Sequence, residues 1–313
     1  MIYGTIASNR KIHVDVWPPS SGFFAEVEMF DTAGILRFDR NLGVQYSSDG
    51  VNWQYSDFNN GHHYVVNVTG STKWYLRQNP AGPTMTEFSL TETYRQTSIA
   101  YDLYNPSDVK RIISINGGDF AGEIILKKSP VVTIDNIISG KGGVVWWWYD
   151  GSTSGVWGLD DLKTVGTIDF SKSEAIDPMK YDMFKNCKKL ETVEKLMFNP
   201  ARIDFTQLFY HCEVLKSINY LHTEGGEIFV QTFAYCEELE HLNQLYTSNG
   251  KEFNQTFGSC KKLKCLTSID TSNATTALNM FISTPLLTAP DAADKLLISA
   301  VPGINWTNPN PCP

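Results

Sequence analysis

Four cysteines, Cys187, Cys212, Cys236 and Cys260, follow one another at intervals of 24 or 25 residues. Thiols can ligate zinc, pair as disulfides, or pack as small apolar groups. Zinc needs ligands that converge on one point, whereas ligands strung along one interval lie on an axis, so no metal site is expected. Disulfides are geometrically conceivable, because equivalent positions in stacked units lie ~4.8 Å apart. Free, packed thiols are the simpler expectation, since the cysteines keep step with apolar neighbours. A second group with chemical potential is Trp146-Trp147-Trp148-Tyr149. In a strand, Trp146 and Trp148 would share one face, with Trp147 and Tyr149 on the other. Such a segment is either buried on both sides or an aromatic platform for a sugar or a protein partner.

A third group is Gln207, Gln231 and Gln255, each two residues before a phenylalanine. If they stack at rung spacing, their amides can bond along the axis as a ladder; the alternative is three solvent-facing glutamines. Conventional catalytic patterns are not assembled. Gly140-Lys-Gly-Gly143 has glycines without the strand and helix that a phosphate loop requires. Adjacent His62 and His63 point oppositely in a strand, and Asp160-Asp161 and Glu237-Glu238 read as solvated pairs. No catalytic residue, metal site or cofactor is therefore assigned, and the chain reads as non-enzymatic.

What positions these residues is a repeat. Phe184, Phe209, Phe233, Phe257 and Phe281 recur every 24 or 25 residues, the cysteines follow three later, and Leu190, Leu215, Leu239, Leu263 and Leu287 three later again. A fixed period of this length denotes stacked units, none able to bury its apolar face alone. Met183, Phe184, Cys187 and Leu190 sit at offsets that share one side of a helix, so each copy is expected to hold a helix of two turns. A brief strand is expected to begin at Val193, Ile218, Leu242 and Leu266. An earlier, weaker copy runs through Val156, Leu159 and Leu162, with Val165 at the strand position.

Upstream, alternation around Ile12–Val16 and Val65–Thr69, with a Ser48-Asp49-Gly50 turn between Tyr46 and Trp53, indicates short antiparallel strands. Segments at Arg111–Ile115, Glu123–Leu126 and Val131–Ile134 are expected to be irregular first rungs. Beyond the repeat, Pro290–Ala300 reads as a capping helix and the proline-bearing tail as extended. The chain has 313 residues, 42% hydrophobic, and a net charge of −8. It lacks the basic footprint that nucleic acid demands and an apolar run long enough to span a bilayer. Its start lacks the pattern of a secretory signal.

Met183-Phe-Lys-Asn-Cys-Lys-Lys-Leu190 and Thr256-Phe-Gly-Ser-Cys-Lys-Lys-Leu263 resemble the unit of BspA-like leucine-rich repeat proteins, found on Bacteroidetes surfaces and encoded by their phages. Tyr46–Trp53 and Trp74–Arg77 resemble the β module that often precedes such repeats. The resemblance implies an α+β chain, an N-terminal antiparallel β-sandwich followed by a leucine-rich-repeat solenoid with ~24-residue repeats. Its segments would be a sandwich module (1–104), a junction with irregular rungs (105–155), the solenoid (156–290), and a cap and tail (291–313). It also implies a binding or structural role with a protein partner, in virion assembly or at a host surface, or with a surface glycan. An oligomer is compatible with this reading, and nucleic acid and membrane insertion are not expected. The expected location is the virion, with the bacterial cell surface or secretion as the alternative. A carbohydrate-binding or glycan-active protein is a further alternative.

Overall fold

A computed structural model describes residues 24–39, 44–55, 63–78, 87–89, 108–118, 123–125, 130–138, 140, 145–146, 159, 161–173, 183–242, 245–266 and 269–286. The capping helix expected at Pro290–Ala300 lies outside them, as do Trp147, Trp148, Tyr149 and Leu287. Among the described residues there are strands and turns, and no helix.

The dominant feature is a sheet of eleven strands. Its parallel part runs β8 (Val109–Asn116), β10 (Thr133–Ile138), β12 (Thr164–Asp169), β13 (Thr192–Met197), β14 (Ser217–His222), β15 (His241–Leu242) and β16 (Cys265–Leu266). In register, Val165 lies against Val193, Val193 against Ile218, Ile218 against Leu242, and Leu242 against Leu266. The strands therefore begin where the repeat placed them, and the two earlier ones lead the stack as rungs of uneven length. Inward residues fall three apart, as in Val193 and Leu196 or Ile218 and Leu221, because β12, β13 and β14 pair in two short stretches around a residue outside the register. In β12 that residue is Gly166, where an added Cβ would lie 2.2 Å from the Asp135 carbonyl oxygen.

On the other side of β8 the same sheet continues antiparallel through β1 (Phe24–Met29), β6 (Lys73–Gln78), β3 (Val44–Ser47) and β4 (Gln54–Tyr55). The β3–β4 connection is the expected hairpin: the Asp49 carboxylate accepts from the amides of Val51 and Asn52, both at 2.8 Å, and Gly50 takes φ 73°. These amides, Asn52 first, hold its carboxyl well below the usual range. Two small sheets stand apart, β2 (Ala33–Asp39) with β5 (His63–Thr69), and β7 (Glu87–Ser89), β9 (Glu123–Ile125) and β11 (Val145–Trp146). Thus Glu123–Ile125 leaves the rung series. One apolar core runs from Val27 and Leu76, past Ile112 and Ile134, to Phe281.

The helices expected in each copy, the α half of the α+β expectation, are not what forms. From Phe205 onward alternate amides leave the coil: those of Phe205, Gln207, Phe209 and His211 donate to Ile228, Val230, Thr232 and Ala234 of the next coil at 2.8–3.0 Å. Between them the chain folds by turns closed from Leu208 to Phe205 and from Cys212 to Phe209. A helix would consume those same amides internally. Offsets of 0, 1, 4 and 7 cannot distinguish the two, because both bring these side chains to one side. Each turn has a residue of positive φ at its third position, Gln207 at 55° and His211 at 59°. Glycine or asparagine is the usual occupant there.

Candidate functional site

The turn segments assemble the repeat core into files. Phe184, Phe209, Phe233, Phe257 and Phe281 stack ring on ring, with centroids 5.1–5.7 Å apart and planes within 9°. A parallel file of Phe205, Phe229 and Phe253 stacks at 5.5 and 5.3 Å. Each such contact adds ~0.5–1.5 kcal/mol beyond burial. Leu190, Leu215, Leu239 and Leu263 are buried alongside.

The cysteines are buried free thiols with a polar task. The Cys212, Cys236 and Cys260 thiols donate to the carbonyl oxygens of Phe184, Phe209 and Phe233 at 3.0–3.1 Å. In the last copy the Thr284 hydroxyl, at the same phase, lies 3.1 Å from the Phe257 carbonyl oxygen and 2.7 Å from that of Phe281, so its one proton is shared between the two coils. Burial pushes all three thiols up, which removes them from nucleophilic chemistry at neutral pH.

The glutamines form a ladder. Gln207 Nε2 donates to Gln231 Oε1 at 2.7 Å, and Gln231 Nε2 to Gln255 Oε1 at 2.6 Å. Lys185 Nζ closes the acceptor end, 2.8 Å from Gln207 Oε1. Carboxylates are likewise committed between coils. Glu237 and Glu238 bind Lys261 and Lys262 at 2.7 and 2.5 Å, Asp161 binds Lys189 at 2.6 Å, and Glu240 binds Lys264 at 2.9 Å. Among the described residues no three metal-ligating side chains gather. Trp146 ends β11, pairing with Ile125.

The sequence reading missed one cluster, which stands on the ridge next to the thiol file. There Asn186, His211, Tyr235, Ser259 and Ser283 occupy one column, with φ of 62°, 59°, 64°, 62° and 57°. His211 and Tyr235 stack at 4.3 Å, with planes 3° apart. Tyr210 meets both edge-on, at 4.5 and 5.5 Å, and Lys185 Nζ lies 5.6 Å from its ring. Burial lowers the pKa of His211 against the pull of Glu213, so its imidazole is neutral at neutral pH. Glu213 is held low, chiefly by Lys188 at 3.0 Å. A tyrosine at positive φ is an outlier costing on the order of 1–3 kcal/mol, in a column where asparagine and histidine are the residues most at ease. The signal available in sequence was an aromatic one or two places after the repeat phenylalanine, at Tyr210, His211 and Tyr235.

Taken together these features define a strand-and-turn β-solenoid of about four turns whose coils repeat every 24 or 25 residues. No family model matches the chain, and neither curated proteins nor solved structures provide a match.

Proposed function

We propose that this chain is a non-enzymatic structural and binding protein, a phage virion component such as a tail or head-fibre appendage, whose solenoid is presented for attachment to a host or a protein partner. The observation that carries this reading is the commitment of reactive side chains to architecture. Thiols bond neighbouring carbonyls and carboxylates bond lysines of the next coil, so the solenoid offers faces and ridges as its working surface. In its finer class the solenoid is of the BspA-like leucine-rich-repeat type, as the resemblance of Met183–Leu190 implies. The antiparallel strands β1, β3, β4 and β6, with the β2–β5 pair, serve as the sandwich-like module that attaches it to an assembly.

The four buried thiols among the described residues, none in a disulfide, suit folding in a reducing cytoplasm, where virions assemble, better than an oxidising exterior. That favours the virion over a bacterial surface adhesin. Mass spectrometry of density-purified particles from the phage-producing host tests the assignment, and stoichiometric recovery with the major structural proteins is expected. Recovery only from the envelope of uninfected cells would overturn it.

A further inference from the structure

Along the ridge of the solenoid the aromatic stack stops abruptly. His211 covers one face of the Tyr235 ring, and Tyr210 lies on that same side. The next coil along the axis offers Gly258 and Ser259, which have no ring, and Tyr235 donates its amide to the Gly258 carbonyl at 2.8 Å. The ring face turned away from His211 therefore carries no aromatic partner among the described residues, and Tyr235 is 38% exposed. Coil spacing is ~4.8 Å, the thickness that a stacked ring requires.

We propose that this free face of Tyr235, floored by Gly258 and Ser259, is a stacking subsite for a neutral pyranose ring of a surface glycan. The assignment rests on the reading of the solenoid as a display surface and gives that surface a ligand. Three features select a sugar. A pyranose presents a flat C–H face to an aromatic ring while its hydroxyls point outward at the rim. The surroundings are mixed in the way a sugar is: Ser259 and Ser283 follow Tyr235 in the same column with their hydroxyls, and the exposed Ile282 lies over Gly258, its Cγ2 3.3 Å from where a Cβ there would stand, as a further contact for C–H groups. An aromatic side chain would cover those hydroxyls without bonding them. A nucleotide would bring phosphate to a chain of net charge −8.

The sizes along the column support the same conclusion. Tyr235 stands at φ 64° and the next two coils carry serine at 62° and 57°, so a bulky ring is followed along the axis by small side chains.

The test uses the full chain on an array of neutral bacterial-surface oligosaccharides, with methyl pyranosides as competitors. Wild type is expected to bind at least one neutral glycan. Tyr235→Ala should weaken that binding about tenfold, equivalent to one lost stacking contact. Ser259→Tyr is the sharper variant. The column already accepts a tyrosine at φ 64°, so the new ring should stack on Tyr235, occupy the subsite and abolish binding, with the stacking offsetting part of the backbone strain and the melting temperature lowered by no more than a few degrees. Silence of the wild type across the array overturns the proposal. So does binding that survives Ser259→Tyr, even if Tyr235→Ala weakens it. Particle proteomics separates this from the broader reading: a virion component that ignores the array loses the subsite alone, whereas a Tyr235-dependent lectin absent from particles loses the virion role alone.

Discussion

Cys236 shows why a thiol stands where a leucine would pack. Its sulfur is buried, yet it donates to the Phe209 carbonyl at 3.1 Å, so the position needs a small apolar body and one donor. Threonine meets both needs, as Thr284 does in the last copy. Cys236→Thr should therefore hold its melting temperature more closely than Cys236→Ala, which loses the donor and opens a small void at a cost of ~1–2 kcal/mol. Equal melting temperatures for the two would remove the hydrogen bond from the account. The same thiols set an alkaline limit. Burial raises Cys236 well above its ordinary 9.0, so above that pH the unfolded chain sheds protons that the folded chain keeps. The unfolded state then binds fewer protons and stability falls as pH rises. Chemical denaturation at pH 8 and pH 10 should show a loss in wild type that is smaller in Cys236→Thr, because one titrating group is gone.

Between residue and coil, the ladder is what makes positive φ at the glutamines worth retaining. Gln231→Asn keeps a residue at ease in that backbone region but shortens the reach by one methylene, breaking bonds to both Gln207 and Gln255. A loss of about 1 kcal/mol is expected by thermal denaturation, less than two bonds imply because water reaches the site. An unchanged melting temperature would make the ladder ornamental. The lysine–glutamate pairs should matter less: they are exposed and monodentate, so raising salt to 1 M is expected to leave the melting temperature nearly constant, and a fall of many degrees would refute that. The phenylalanine file was legible in the sequence because its period has no other physical cause. The glutamine file was legible because each member keeps a fixed distance from a ring. The turns were not, since their third positions hold glutamine, histidine and tyrosine instead of the glycine that would announce them, and apolar offsets alone favoured a helix. Tyr235 stayed hidden for a related reason: its importance lies in what the next coil lacks.

At the scale of the whole molecule, one sheet joins antiparallel strands to the solenoid through β1 and β8, with Val27 against Ile112 in register. That pairing is continuous but irregular, with shifts of register between Glu26 and Val27 and between Glu28 and Met29, so the change from antiparallel to parallel strands falls beside a bulged ladder. In the solenoid, each coil bonds only to its neighbours, so stability is close to a sum of coil and interface contributions. That arithmetic makes a deletion informative. Removing residues 231–254 joins Val230 to Gln255, 24 positions being one full coil. Gln207 can then meet Gln255, Phe209 can stack on Phe257, and the Cys260 thiol can reach the Phe209 carbonyl. The shortened chain should fold with the same strand-rich circular dichroism, and melt lower because one set of interfaces is gone. Removing residues 231–252 instead brings Phe253 to the glutamine position, facing the ridge, and puts every later ring two places out of file. That variant should lose cooperative melting and aggregate. If both deletions melted alike, coils would not be interchangeable units, and the axial stacking of rings, thiols and amides would not be what holds the rod together.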